Sequence, residues 1–214
     1  AETTQKPESA PEPTPTPTPE EDDTVAFSFG DNVIWAFSKK KGTLEIVGNG
    51  DMPDADTLPW YAYKDDIRTV TIADGVTSIC RGAFLECTAL EKVSISDSVT
   101  NIGEAAFYGC TSLKTVSLPQ QLYEIKKNTF LRSGLETINI PWNVGVIGES
   151  AFQETMLKTV SLSQHVVKIE QNAFAHLVGT DITIENENCE IGDTAMTLPM
   201  EGTIYGVAGS TAEV

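Results

Sequence analysis

Basic residues are scarce in this sequence. It contains 14 Lys and Arg against 31 Asp and Glu, which gives a formal net charge of −17. A surface with this excess of negative charge repels phosphate backbones and anionic lipid headgroups. Nucleic acid is therefore excluded as an expected partner, and so is direct electrostatic attachment to an anionic membrane.

Long apolar runs are absent as well. No stretch of the sequence approaches the ~18 consecutive apolar residues that cross a bilayer as a helix, so we expect no direct insertion into a membrane. No signal peptide is visible, and the start at Ala1-Glu2-Thr3-Thr4 is typical of a mature chain.

Few residues in the sequence point to catalysis or metal binding. The two histidines are His165 and His176, and no G-x-S-x-G, H-E-x-x-H, phosphate-loop or C-x-x-C motif is present. We therefore predict that the protein is not an enzyme and binds no metal or cofactor. A Ser/His/Asp arrangement remains an alternative, because such triads are assembled from distant parts of a chain.

Three aspartates form a candidate calcium site in the N-terminal third. Asp51, Asp54 and Asp56 are close enough in sequence to share a cation. They lack the EF-hand spacing and its closing glutamate, so a solvated turn is the favoured interpretation.

Residues 1–23 are predicted to be an acidic Pro/Thr-rich linker. Residues 7–19 read PESAPEPTPTPTP and precede four acidic residues. Alternating proline interrupts helices and hydrogen-bonded ladders, and it favours polyproline II at ~3.1 Å per residue. The segment is interpreted as a semi-rigid spacer that holds a domain away from a cell envelope, with a tail of no specific role as the alternative.

An internal repeat dominates the rest of the chain. Six units begin at positions 67, 90, 113, 135, 157 and 179, at spacings of 23 or 22 residues. Twelve residues into each unit lies an isoleucine: Ile79, Ile102, Ile125, Ile147, Ile169 and Ile191. Seventeen residues in lies a large apolar side chain: Phe84, Phe107, Phe130, Phe152, Phe174 and Met196. Self-similarity in one register is the signature of a repeat architecture.

The repeat pattern predicts a mainly β solenoid. In L-x-x-V-x-I the last two apolar positions alternate, so they point to one face of a strand. Stacked copies place these strands side by side in a parallel sheet, ~4.8 Å apart. The isoleucine ends a second extended piece, and the following Ala-Phe pair is expected to begin a short helical turn. One unit cannot bury these side chains alone, so stability comes from contacts between neighbouring copies.

Residues 24–66 are predicted to form a small β cap at the N-terminal end. Apolar runs at 25–29 and 33–37 flank a Gly-Asp-Asn turn, which is typical of a hairpin, and 44–47 is a third strand. Such a cap covers the apolar face that the first repeat would otherwise expose.

The repeat unit resembles the BspA-type leucine-rich repeat of bacterial surface proteins. Residues 90–112, LEKVSISDSVTNIGEAAFYGCTS, are the closest copy. The resemblance covers residues 67–200 as six repeats and extends to the N-terminal cap. It also extends to a C-terminal cap segment at 201–214, where we expect a truncated end because relatives usually continue. The resemblance implies a secreted or surface-anchored bacterial protein associated with adhesion to host or microbial partners.

The sequence contains four cysteines, and two of them fall in one repeat column. Stacking places the backbones of Cys87 and Cys110 ~5 Å apart, which is within disulfide range. The resemblance implies buried small apolar side chains at this position, which favours free thiols over a disulfide. Cys80 replaces a glycine and is expected to face solvent, and Cys189 is the fourth cysteine.

The candidate ligand-binding surface lies on the repeat strands and the loops after them. The outward strand column is Thr71, Ser94, Ser117, Asn139, Ser161 and Thr183. Solenoids commonly leave one sheet face open for binding, although Ser and Thr also simply suit an exposed strand. Trp142 stands in an otherwise polar loop column, with Tyr123 and His165 on neighbouring units, and is a candidate hot spot. Alternatively, Trp142 folds back over Pro141 and the neighbouring loop.

The function favoured by the sequence is an extracellular binding or adhesion module. It is expected to be a monomer that recognises a protein or glycan through the solenoid surface. One alternative is a structural spacer or stalk that presents other domains on a bacterial cell surface. Another is an enzyme or enzyme-associated domain, which requires a deep pocket with His165 or His176 beside a nucleophile.

Overall fold

A computed structural model describes residues 23–197 and 202–206. Within these ranges the chain winds into a β solenoid, and a 3-10 helix at Tyr61–Tyr63 lies in the cap. The strands, in chain order, are β1 (Thr24–Phe29), β2 (Val33–Ser38), β3 (Thr43–Gly48), β4 (Gly50–Asp51), β5 (Thr69–Ile72), β6 (Val76–Ile79), β7 (Lys92–Ile95), β8 (Asn101–Ile102), β9 (Thr115–Ser117), β10 (Glu124–Ile125), β11 (Thr137–Asn139), β12 (Val146–Ile147), β13 (Thr159–Leu162), β14 (Lys168–Ile169), β15 (Asp181–Ile184), β16 (Glu190–Ile191) and β17 (Ile204–Gly206). Apart from Asp23, the predicted linker lies outside the described residues, as do residues 198–201 and 207–214.

The predicted parallel sheet is confirmed, and a second one accompanies it. The first strand of each unit contributes the segments β5-β7, β9-β11 and β13-β15-β17. The second strand contributes β4-β6-β8 and β10-β12-β14-β16. Pairing joins the same repeat position of successive units, as in Val70 with Val93 and Ile125 with Ile147. The register read from the sequence is therefore the register of the fold.

The third side of each unit is a run of turns where the sequence predicted short helical turns. Phe84 N donates to Ala106 O of the next unit at 2.8 Å, whereas Ala83 N donates to Cys80 O of its own unit at 3.3 Å. This alternation recurs from unit to unit. Non-glycine residues with positive φ recur here too: Glu86, Ala105, Asn128, Arg132, Ser150, Glu154, Asn172, His176 and Thr194. Because alternate amides bond to the neighbouring copy and left-handed residues interrupt each turn, no helix propagates.

The core is a continuous column of stacked aromatic rings. Phe84, Phe107, Phe130, Phe152 and Phe174 are all fully buried. Successive ring centroids lie 5.3 or 5.4 Å apart, and the interplanar angle is only 4° between Phe107 and Phe130. The repeat spacing thus stacks each ring on the one before it with an offset, and each ring fills the space between two units.

The N-terminal cap is a hairpin followed by an additional solenoid turn. Strands β1, β2 and β3 are antiparallel, as predicted, but β3 continues in parallel onto β5 and pairs Leu44 with Val70. Trp60 stacks on Phe84 at 6.3 Å, and its Nε1 donates to Ala83 O at 2.7 Å. Residues 43–66 therefore form a solenoid turn in which Trp60 takes the place of the repeat phenylalanine. The sequence pattern did not reveal this additional turn.

Close backbone contact between units leaves no room for a side chain at Gly148, although Cys80, Lys126 and Glu170 occupy the same repeat position in other units. A Cβ on Gly148 would lie 2.8 Å from the carbonyl carbon of Lys126 and from the nitrogen of Lys127. Both are backbone atoms, so a side chain at Gly148 forces the units apart. Gly145, three residues earlier, has room for a methyl group, since a Cβ there would lie at ordinary van der Waals distance from its nearest neighbour, 3.6 Å from His165 O.

We expect Phe130→Ala to lower the free energy of unfolding by roughly 3–5 kcal/mol, because it removes a ring from the middle of the column and leaves a cavity. Urea denaturation monitored by fluorescence measures this change. Tyr123→Ala, at an exposed position in the same unit, is the control and should change stability by at most about 0.5 kcal/mol. A loss below about 1 kcal/mol for Phe130→Ala would contradict the stacked column.

We expect Gly148→Ala to destabilise the solenoid by about 1–3 kcal/mol, because the added methyl meets the backbone of the preceding unit. Gly145→Ala is the matched variant in the same unit and should change stability by less than about 1 kcal/mol. Thermal unfolding of both variants against the native chain tests this difference, and equal melting temperatures for the two variants would refute it.

Candidate functional site

The predicted outward column of the strands lies on one open face of the solenoid. Ser94, Ser117, Asn139, Ser161 and Thr183 are exposed, and Thr71, beside the cap, is partly buried. The ladder pairs Thr71 with Ser94, Ser117 with Asn139, and Ser161 with Thr183. It is interrupted between β7 and β9 and between β11 and β13. The β9–β11 pair therefore forms a separate segment in the middle of the face.

A shallow groove lies over this central strand pair. Its volume is about 370 Å³, and its polar lining comprises Thr115, Ser117, Gln120, Thr137 and Asn139. Ser117 and Asn139 were predicted from the sequence, and their side chains make no hydrogen bond within the described structure. The groove thus presents hydroxyl and amide groups that are available to a ligand.

Two of the predicted aromatic residues meet in the loop row next to this groove. Trp142 is 58% exposed, and its ring contacts His165 edge to face, with ring centroids 4.6 Å apart and an interplanar angle of 88°. Ser163 Oγ donates to Trp142 O at 3.0 Å. Asn143 Nδ2 donates to Gln120 O at 3.1 Å, which ties the Trp142 turn to a groove residue. Trp142 therefore stands open to solvent beside the groove, supported by the next unit.

Tyr123 lies in a different repeat column and touches neither of these rings. It is 65% exposed, and Val167, two units further on in the same column, is 55% exposed. Between them Gly145 N donates to Tyr123 O at 2.9 Å, and Val167 N donates to Gly145 O at 2.8 Å. The missing side chain at Gly145 leaves a gap between two exposed apolar groups. Sequence reasoning missed Gly145 and Val167, although their column, ten residues into each unit, contained the signal.

The electrostatic character of this surface changes along the solenoid. Residues 115–123, 137–145 and 159–167, here called the neutral window, contain no Asp, Glu, Lys or Arg. The equivalent segments of units one, two and six contain charged residues: Asp74, Lys92, Asp97, Asp181, Glu185 and Glu187. In a chain of net charge −17, the groove and the Trp142–His165 pair thus lie in an uncharged stretch between acidic flanks.

Two of the three aspartates considered for calcium, Asp51 and Asp54, are engaged with the chain itself. Asp51 accepts a hydrogen bond from Thr77 Oγ1 at 2.7 Å, and bonds from Thr77 and Ser78 lower the pKa of Asp51. Asp54 accepts from Arg81 N at 2.8 Å. Within residues 23–197 and 202–206, no three His, Cys, Asp or Glu side chains are grouped to hold a metal.

Neither histidine lies in the larger of the two depressions on the described surface. An open cleft of about 760 Å³ lies between the cap and the first two units, where Asp54, Tyr61 and Arg81 line it. His165 and His176 line neither this cleft nor the groove over β9–β11. In the part of the chain that the structure describes, no helix has the length and apolar character to span a bilayer.

All four cysteines are buried free thiols. The expectation that Cys80 faces solvent was wrong, because its backbone packs against Gly103 of the next unit and a cap residue, Asp54, bonds to the adjacent amide. Burial raises the pKa of Cys80 to about 12 and that of Cys87 to about 12. Cys110 donates from Sγ to Phe84 O at 3.1 Å. The thiols therefore serve as core side chains.

Comparison with known proteins identifies the repeat. The family model for the BspA type leucine rich repeat region matches residues 59–180 in six copies. Among curated proteins, none matches the chain. A leucine rich cell surface protein from Faecalibacterium prausnitzii is similar in structure, with 26% identity, a TM-score of 0.61, and coverage of 88% of this chain and 55% of that one.

Two more distant structures share the fold. A leucine-rich repeat protein from Eubacterium ventriosum has 21% identity and a TM-score of 0.54, with coverage of 87% of this chain and 45% of that one. A leucine rich repeat protein from T. pallidum has 22% identity and a TM-score of 0.50, with coverage of 80% and 82%. The chain thus spans about half the length of the first two of these structures.

We expect alkaline pH to destabilise the fold through its buried thiols. In the unfolded chain a thiol ionises near its ordinary pKa of 9.0, whereas folded Cys80 and Cys87 ionise near 12. Between these two pKa values the folded state binds more protons than the unfolded state. The free energy of unfolding is therefore unaffected by these thiols below about pH 9, and it falls as the pH rises from about 9 toward about 12.

Urea denaturation at pH 7.5 and at about pH 10.5 measures this loss. The double variant Cys80→Ala, Cys87→Ala removes both titrating groups, so its stability should fall less steeply between the two pH values. Equal losses for the native chain and the double variant would show that these thiols are not the cause.

Proposed function

Because the chain belongs to the BspA-type leucine-rich repeat family, we propose that it is a non-catalytic binding module of a bacterial cell surface. Its ligand is an extracellular protein or glycan that docks on the open strand face. The observation that carries this proposal is the exposed Trp142–His165 pair beside a groove whose Ser117 and Asn139 side chains have no internal hydrogen-bond partner.

A rigid scaffold supports binding at this face. The turn ladder joins every neighbouring pair of units, and parallel strand ladders add to it except between units two and three, where neither strand ladder is continuous. Groups on such a scaffold are already in position before a ligand arrives, so little conformational entropy is lost on binding. Tryptophan is enriched among binding hot spots, and Trp142 is exposed while its ring is supported by His165.

The comparisons support the location. The similar Faecalibacterium prausnitzii structure is of a cell surface protein, and repeats of this family are found in bacterial surface proteins. An acidic surface suits a soluble ectodomain. The spacer alternative assigns no role to the open face and differs from the proposal in a measurable way, because a spacer tolerates any surface substitution.

The proposal is tested by capture of the protein on arrays of extracellular-matrix proteins and glycans, with Ser117→Arg as the test variant. The new side chain fills the groove, so the affinity for the captured ligand should fall by about tenfold or more, which corresponds to about 1.4 kcal/mol. Thr88→Arg adds the same side chain at an exposed position outside the strand face and should bind like the native chain.

Two results would contradict the proposal. Absence of saturable capture by the native chain would favour the spacer alternative. If Ser117→Arg and Thr88→Arg are captured equally strongly, the open strand face is excluded as the binding surface.

A further inference from the structure

We infer that the neutral window is a binding site for an uncharged polysaccharide or oligosaccharide. This inference rests on the proposed function and assigns the class of ligand to it. Three independent features of units three to five carry the assignment: the missing charge, the exposed aromatic rings, and the polar groups that lack internal partners.

The missing charge excludes ligands that depend on ion pairs. A charged group that enters the neutral window loses hydration. The exposed charges nearest to it, Lys114, Glu136 and Lys158 at its edge, are mixed in sign, and Lys114 is already paired with Glu136 at 3.0 Å. A basic protein would be attracted instead to the acidic flanks, around Asp74 and Asp97 on one side and Glu185 and Glu187 on the other. Anionic polysaccharides are repelled by both flanks. An uncharged ligand avoids both costs.

The aromatic side chains suit the flat face of a sugar ring. The π face of an aromatic ring carries partial negative charge, and the C–H bonds on one face of a pyranose present weakly positive hydrogens. Trp142 offers an exposed ring whose position is supported by the contact with His165. Tyr123 offers a second exposed ring, and the gap at Gly145 allows a bulky group to approach the backbone beside it.

The polar groups suit hydroxyl groups of a sugar. Hydroxyl and amide side chains both donate and accept hydrogen bonds, as sugar hydroxyls do. Ser117 and Asn139 in the groove, and Ser161 on the next strand, have no hydrogen-bond partner for their side chains in the described structure. Ser94, at the same strand position in unit two, also lacks such a partner, so this polar row extends along the face and coincides with the missing charge in units three to five.

The spacing of these groups suits a repeating ligand. Ser117, Asn139 and Ser161 occupy the same strand position in three successive units. Ser117 and Asn139 lie on hydrogen-bonded strands about 4.8 Å apart, and the ladder is interrupted before the strand of Ser161. An extended glycan that lies along the solenoid axis meets an equivalent polar side chain at each step, at a spacing close to one pyranose ring. The window then accommodates a stretch of about three sugar rings.

Trp142 also provides the readout. Trp35 is 2% exposed and Trp60 is 1% exposed, whereas Trp142 is 58% exposed, so acrylamide quenches mainly the Trp142 fluorescence. We would titrate the protein with soluble neutral oligosaccharides of glucose, mannose, galactose or N-acetylglucosamine, and with uronic-acid oligosaccharides as anionic controls. At least one neutral series should bind saturably and protect Trp142 from acrylamide. Its affinity should be unchanged between about 50 and about 500 mM NaCl, because no ion pair is screened.

Matched variants distinguish a glycan from a protein ligand. Trp142→Ala should weaken glycan capture on immobilised polysaccharide by about tenfold or more. Met156→Ala, in the same unit and 55% exposed at the opposite end of the strand face, should have no effect. Asn139→Leu keeps the size of the side chain but removes its hydrogen bonds, so it should weaken a glycan while leaving or strengthening an apolar protein contact.

The outcomes separate this inference from the proposed function. Capture of a protein that Trp142→Ala abolishes, with no neutral glycan bound, overturns the inference and leaves the binding module intact. Three further results overturn the inference. They are binding of anionic glycans alone, glycan binding that disappears in high salt, and glycan binding that Trp142→Ala and Asn139→Leu leave unchanged. Failure to capture either class of ligand contradicts both proposals.

Discussion

The stack of aromatic rings between units is the contact on which the rest of the structure depends. Six rings, from Trp60 to Phe174, follow one another at centroid distances of 5.3 to 6.3 Å. These distances slightly exceed the ~4.8 Å between hydrogen-bonded strands, as expected for rings that stack with an offset. The rings and the backbone ladders thus impose compatible spacings, and each unit is stable because its neighbours bury its ring.

The same stacking converts repeat columns into surfaces. A residue at one repeat position recurs at the same place on the outside of every unit, so small differences between copies accumulate into patches. Uncharged segments at the same position in three successive units form the neutral window, although the protein as a whole carries a net charge of −17. Trp142 interrupts a polar column at the centre of this window and there meets His165 of the next copy. The distinctive surface therefore arises where the copies differ, while the core depends on what they share.

The repeats were predictable because their signal is periodic, and the errors arose where periodicity stops. The strands, their parallel register and the inward phenylalanines follow from apolar spacing alone. The solenoid turn at 43–66 was not predicted, because Met52 and Trp60 replace the isoleucine and phenylalanine of the repeat pattern. The expected short helical turns are single hydrogen-bonded turns that do not extend into helices, because alternate amides bond to the next unit, which the Ala-Phe motif does not reveal. This hydrogen-bonding pattern depends on a neighbouring unit more than 20 residues away in the chain.

By itself the sequence determined the register of the solenoid, its core columns and the outward direction of Ser117, Asn139 and Ser161. These features follow from the two-residue period of a strand and from nearest-neighbour stacking, which are local rules. Only the tertiary structure decided that Trp142 stands open against His165, that a groove lies over β9–β11, and that Cys80 is buried beneath Gly103 and the cap. These features depend on side chains of different units packing in three dimensions, and no spacing along the chain encodes how two such side chains meet.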